Sequence, residues 1–234
     1  DRPAHHGAAA QGGPPVMKLA MFDLDNTLLD GDSDYAWAQF LIEEGALHAD
    51  EYHAKNEYFY ARYKDGSLDI HEFLDFQLAP IADRPRPQLD AWHRDFMQRK
   101  IRPIIAPGTP ALIAKHAADT SAIVTATNRF ITGPIAGELA VAKLIATDIE
   151  ERPDGTFTGK PRGTPTFREG KVVAVNEWLA SMGHRLSDYE SWFYSDSLND
   201  LPLLELVTHP VAVDPDPTLH ARAQERGWRI MSLR

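Results

Sequence analysis

The sequence predicts an α/β protein in which a parallel sheet is covered by helices and a helical segment is inserted after the first strand. Short apolar runs of strand length alternate with amphipathic helical stretches through most of the chain, the pattern of strand–helix–strand units. Between residues 32 and 104 that alternation stops and only helical periodicity remains. Two of the apolar runs, 16–22 and 192–194, end at paired aspartates, and strand ends are where open parallel sheets place their ligands.

Composition narrows the function classes. The 234 residues are 43% hydrophobic and 25% charged, as in an ordinary globular protein with one large domain or a core and a smaller companion. A net charge of -10 without any cluster of lysine or arginine argues against nucleic-acid binding, which needs a basic face. A small anion would have to be drawn by local charges, not by the field of the whole protein. No apolar run approaches the ~18 residues that span a membrane, so no membrane association is expected. The absence of cysteine removes disulfides and thiolate metal sites and is compatible with a reducing compartment, so a cytoplasmic location is expected. Residues 1–16 are rich in Ala, Gly and Pro and read as a disordered leader or an artificial remnant, with Met17 the expected natural start. His5 and His6 in that stretch are not expected to bind metal, and the oligomeric state is left open.

Residues 16–22 are apolar apart from Lys18 and short enough for a buried parallel strand, which brings Asp23 to the strand end. Residues 31–34 offer caps for a helix over 35–44, with Ala36, Trp37, Phe40 and Leu41 on one face and Gly45 as its stop. Aromatic-rich helical patterns follow over 50–63 and 70–78, prolines 85 and 87 interrupt, and a helix resumes over 89–101. Tyr52, Tyr58, Phe59, Tyr60 and Tyr63 are expected to form the core of this insertion. Another helix opens with Thr109 as cap and Pro110 at its first position. A short buried strand over 121–124 runs into Thr125, Ala126, Thr127 and Asn128, and a strand at 144–146 is followed by a hairpin turning at Asp154 and Gly155. Gly170 and Lys171 precede a helix over 172–179, then come a strand over 192–194 and a helix from Pro202. The chain closes with a strand at 211–213, a helix at 218–225 stopped by Gly227, and a strand at 228–231.

Side chains alternate along an extended chain, so Asp23 and Asp25 start on the same side. Carboxylates so close repel unless a cation lies between them. Oxygen ligands suit a hard divalent ion, and Mg²⁺ is the usual one beside phosphates. A carboxylate is also a covalent nucleophile in aspartyl-phosphate chemistry. The same residues can be read as a plain polar turn after a core strand. A calcium loop is excluded, because the twelve-residue frame from Asp23 has Leu28 where glycine is required and ends on Asp34, not glutamate. Thr125 and the small residues after it suggest a nest of backbone N–H groups for phosphate oxygens, although strand–threonine–turn is also common as plain structure. Lys171 sits against the macrodipole in a helix's first turn, which implies an anionic neighbour and favours it over Lys160. Asp196 and Asp200 repeat the logic of Asp23 and Asp25 at a second strand end, or serve as a turn and a helix cap.

Taken in order, Asp23-Leu24-Asp25-Asn26-Thr27, Thr125, Lys171 and Asp196-Ser197-Leu198-Asn199-Asp200 resemble the motifs of the haloacid dehalogenase superfamily, over essentially residues 17–234. The run 23–34, the hairpin at Thr158-Gly159-Lys160 and the ending over 215–228 are similar to its subfamily IB, which holds phosphoserine phosphatases and some bacterial histidinol-phosphatases. The resemblance implies a Rossmann-like core over 17–31 and 105–234 and a helical type 1 cap over 32–104. It implies a Mg²⁺-dependent phosphomonoesterase in which Asp23 attacks phosphorus and Asp25 is first acid, then base. Thr125, Ala126 and Lys171 would hold phosphate oxygens, and Asp23, the Asp25 carbonyl and Asp196 would hold the metal with Asp200 in support. Asn199 would steady the loop. Asp32 stands where phosphoserine phosphatases carry a glutamate for the substrate ammonium, with helix capping as its other reading. The cap arginine that clamps a serine carboxylate in those relatives is missing, since Gly66-Ser67-Leu68 is followed by no arginine until Arg84. A small amine-bearing phosphate ester is therefore expected, histidinol phosphate first, with phosphoserine, or a phosphomutase or phosphotransferase reaction, as alternatives.

Overall fold

The computed structural model describes residues 14–234, so His5, His6 and most of the stretch expected as a leader lie outside the described residues. β1 (Met17–Phe22) is the central strand of a seven-stranded sheet with β2 (Thr120–Asn128), β3 (Lys143–Glu151), β4 (Phe157–Arg162), β5 (Tyr189–Ser195), β6 (His209–Val213) and β7 (Arg229–Met231). The order is β4-β3-β2-β1-β5-β6-β7, and only the β3–β4 hairpin is antiparallel. The expected α/β class and parallel, helix-covered sheet are what the chain adopts.

β1 is central because both of its faces are apolar. Leu19 and Met21 enter one core cluster with Val175 and Leu179, while Ala20 and Phe22 enter the other with Phe40 and Phe96. The order reverses at β1, with β2 on one side and β5 on the other, and such a switch point opens a crevice at the strands' carboxyl ends.

The segment after β1 opens with four helices: α1 (Ser33–Glu43), α2 (Ala49–Asp65), α3 (Ile70–Leu78) and α4 (Arg86–Phe96). After them come α5 (Thr109–Lys115), α6 (Arg129–Glu138), α7 (Glu169–Ser181), α8 (Leu201–Leu204) and α9 (Pro217–Arg226). Within the insertion only Tyr52 and Phe59 of the five expected core aromatics are buried, packing on Phe76. Tyr58, Tyr60 and Tyr63 are exposed.

Several local expectations are corrected. Pro87 does not interrupt a helix but sits in the first turn of α4, where a missing N–H costs nothing. Gly108, not Thr109, is the cap of α5, and the Thr109 hydroxyl instead donates to the Leu28 carbonyl at 2.7 Å. β2 runs on to Asn128, with a register irregularity after Val124 that displaces Thr125 to Thr127 from regular pairing. α6 was not legible at all: Gly133, Pro134 and Gly137 inside it read as loop residues, yet Ile131, Ile135 and Ala136 are buried along one face.

Candidate active site

Asp23 is placed by backbone pairing. Its N–H donates to the Tyr194 carbonyl at 2.9 Å, which continues the β1–β5 ladder one residue past β1 and sets Asp23 level with the end of β5. Asp196 follows directly after β5, so the two carboxylates come from adjacent strand ends. A tight turn over Leu24–Leu28, with Asn26 in the left-handed region at φ 58°, brings Thr27 back between them. The Thr27 hydroxyl lies 3.2 Å from Asp23 Oδ2 and 3.0 Å from Asp196 Oδ1, and it accepts the Asp196 N–H at 3.1 Å. Burial first, and the charge of Asp23 after it, push the Asp196 carboxyl well above the usual range.

Lys171 reaches this centre from the first turn of α7. Its Nζ is 2.9 Å from Asp23 Oδ1 and 2.8 and 3.0 Å from the two oxygens of Asp200. Burial alone would depress its ammonium, but Asp200 and Asp23 outweigh that and hold it above the ordinary lysine value. The turn is possible only with glycine before it, because a Cβ on Gly170 would stand 2.0 Å from the Pro165 carbonyl oxygen. Asp200 also accepts from Ser195 Oγ at 2.7 Å; burial raises its carboxyl to about 6 against the pull of Lys171.

Asp25 turns elsewhere. Ser33 N–H donates to its Oδ1 at 2.7 Å and the Thr127 hydroxyl to its Oδ2 at 2.6 Å. Burial, then the neighbouring Asp32, push its carboxyl up to about 6. Asp34 brings Oδ2 to 3.2 Å from the same Thr127 hydroxyl. Thr125 Oγ1 accepts the Thr127 N–H at 3.1 Å, which leaves its own hydrogen free to donate, and Thr147 holds the Ala126 carbonyl at 2.8 Å. Asp32 caps α1, accepting the Tyr35 N–H at 2.9 Å, and is exposed. Asn199 Oδ1 accepts from Arg168 at 2.9 Å.

The fold thus gathers Asp23, Asp196, Asp200 and Lys171 into one buried cluster and sets Asp25 beside it on Thr127. Lys160 is far from both, paired with Asp75 at the surface. Thr27, Thr127, Asp34 and Ser195 went unassigned from sequence; the first two lay within the quoted motifs, where a hydroxyl reads as a turn residue. Asp23 and Asp196 are the pair suited to a hard cation, since Asp200 is turned to Lys171 and the Asp25 carboxylate to Thr127. Among the described residues no third acidic, histidine or cysteine side chain joins them, which fits an ion that keeps most of its waters.

The sheet, its switch point and these strand-end carboxylates define a family. The sequence model of the haloacid dehalogenase-like hydrolases matches residues 20–205, and the chain belongs to that family. It is a phosphatase of that family, as its relatives agree: a histidinol-phosphatase of Neisseria meningitidis serogroup C is 45% identical over 222 residues, spanning 94% of this chain and 100% of that protein. A phosphoserine phosphatase of Mycobacterium tuberculosis is 33% identical over 245 residues, 100% of this chain and 78% of its own length. Among solved structures, a Bordetella pertussis protein of unknown function superposes with a TM-score of 0.88 at 48% identity, covering 94% of this chain and 100% of that one.

Proposed function

We propose that this phosphatase is a Mg²⁺-dependent phosphomonoesterase that works through an aspartyl-phosphate on Asp23, with histidinol phosphate as its substrate. The observation that carries the mechanism is the buried Lys171 ammonium between Asp23 and Asp200. It offsets the charge that would otherwise keep an anionic phosphate from Asp23. One Asp23 oxygen bonds to phosphorus as the ester oxygen departs, and Asp25 supplies that oxygen's proton. Asp25 then takes a proton from the water that attacks phosphorus, which releases Asp23 and inorganic phosphate. A carboxyl held near 6 by burial can do both at neutral pH, and Ser33 N–H with Thr127 fixes its direction. Thr125, with its free hydroxyl hydrogen, and the backbone around Ala126 bind non-bridging oxygens together with Lys171. Asp23, Asp196 and the Asp25 carbonyl would hold Mg²⁺, which when bound supplies charge neutralisation for the phosphoryl group.

The substrate rests on similarity to the Neisseria histidinol-phosphatase and on the arginines. Of the insertion's six arginines, Arg62 stacks on Tyr58, Arg84 donates its Nε–H to the Pro80 carbonyl at 2.7 Å, and Arg86, Arg99 and Arg102 pair with Glu151, with Glu43 and Glu44, and with Glu138. Phosphoserine, the substrate named for the mycobacterial relative, would lack its bidentate partner. Phosphate release from both esters, with and without Mg²⁺, tests the reading. Histidinol phosphate is expected to have the higher kcat/KM, and a clear advantage for phosphoserine would reverse the assignment. Asp23→Asn is expected to lose at least ~10³-fold in turnover while staying folded; normal turnover would remove the covalent mechanism.

A further inference from the structure

A cavity of about 510 Å³ opens where α4, α6 and the β3–β4 hairpin meet. None of Asp23, Asp25, Lys171, Asp196 and Asp200 lines it, so it is separate from the site described above. Its walls carry four arginines: Arg86 and Arg94 from α4, Arg129 from α6 and Arg162 from β4. Against them stand three acids, Asp90, Asp148 and Glu151. In a chain of net charge -10, an excess of arginine in one cavity is a local reversal of sign.

Two of the four arginines are accounted for by the fold. Arg86 pairs with Glu151 at 3.2 Å and Arg129 with Asp148 at 2.6 Å, which fastens the hairpin to α4 and α6. Arg94 and Arg162 are left over: among the described residues neither pairs with an acid. Each has an acid at hand. Asp90 precedes Arg94 by one turn of α4, the spacing at which helical ion pairs form, yet the two do not pair. Asp148 stands opposite Arg162 in the hairpin register, but Arg129 holds it. Like charges gathered in one cavity repel, and a fold-stabilising role ends with the two pairs already made.

Much of the remaining lining is apolar. Met97, Ile149 and Phe157 are buried, and Phe130 meets Phe157 edge-on at 5.5 Å. A guanidinium presents a planar fork of donors that matches phosphate oxygens, and two forks without acid partners suit a ligand with more than one negative charge. The apolar wall beside them suits a ring on the same ligand, and the cavity's volume lies in the range of small-molecule sites. We propose that this cavity binds a small organic polyphosphate with an apolar body, the chemistry of a nucleoside diphosphate, with its phosphates on Arg94 and Arg162. Bound there, the ligand bridges α4 to the hairpin. The inference goes beyond the phosphatase reading and does not depend on it.

The test is calorimetric titration with ADP in the presence of EDTA, which keeps metal from the catalytic carboxylates. The wild-type protein is expected to bind ADP at least ~10-fold more tightly than adenosine, which lacks the charge, and than pyrophosphate, which lacks the ring. Arg94→Ala combined with Arg162→Ala is expected to weaken ADP binding at least ~10-fold, while kcat/KM for p-nitrophenyl phosphate stays near the wild-type value. Both side chains are exposed, so the double variant is expected to fold. Should circular dichroism show otherwise, Arg94→Gln and Arg162→Gln, measured singly, are each expected to weaken ADP binding ~3-fold or more. Absence of ADP binding by the wild-type protein, equal affinity for adenosine or pyrophosphate, or full affinity in the arginine variants would overturn the proposal and leave the phosphatase reading standing. A loss of turnover that matched the loss of ADP binding would also overturn it, by making the cavity part of the catalytic site.

Discussion

Division of labour between Asp196 and Asp200 follows from what each touches. Asp200 makes its contacts to Lys171 and Ser195, whereas Asp196 faces Asp23 and Thr27. Asp196→Ala is therefore expected to raise the Mg²⁺ concentration for half-maximal activity at least ~10-fold. Asp200→Ala removes a partner from a buried ammonium and should cost ~3 kcal/mol of stability, with little change in that concentration. Metal titrations and urea unfolding of the two variants check this, and identical metal dependence would refute the division. Lys171 was readable in the sequence because a lysine in a helix's first turn is electrostatically misplaced without an anion beside it. Thr27 and Thr127 were not, since a single hydroxyl leaves no charge pattern, and only the folded chain shows which carboxylates they serve.

At the scale of elements, the start of α7 shows how a backbone constraint delivers a functional side chain. Gly170 packs against the Pro165 carbonyl so closely that any Cβ must move backbone, and Lys171 follows one residue later. Gly170→Ala is expected to cost roughly 1–3 kcal/mol and to reduce turnover by displacing the ammonium. Thermal unfolding and kcat, measured together, check it, and a variant with native stability and rate would refute the close approach. Strands were the legible elements here, because β1 and β5 are apolar on both faces and end at acids. The failures share a cause: proline and glycine punctuate a chain locally, while burial of Ile131 and Ile135 in α6, or a first-turn place for Pro87 in α4, is decided by packing.

Across the whole molecule, the segment between β1 and β2 is held in two unlike ways. α1 and α4 belong to the core, where Trp37 stacks on Phe40 and meets Phe96 and Phe130 edge-on. α3 joins the same core through Leu74 and Leu78, whereas α2 and the turn after it reach the sheet side through polar contacts. Tyr63 hydroxyl lies 2.6 Å from Ser197 Oγ, and Arg168 donates to the Gly66 carbonyl at 3.3 Å. Two hydrogen bonds contribute little, so α2 can lift from the Asp196 loop at small cost while α1, α3 and α4 stay on the core. Closure would then exclude water around a substrate no larger than the space beneath α2. A phosphoamino acid within a folded protein cannot enter without holding that lid open and leaving the site wet. The enzyme is accordingly expected to release phosphate from small esters and to leave a folded phosphoprotein at least ~10³-fold slower in kcat/KM, a comparison that phosphate release under matched Mg²⁺ would settle. Comparable rates on both would mean that α2 does not act as a lid.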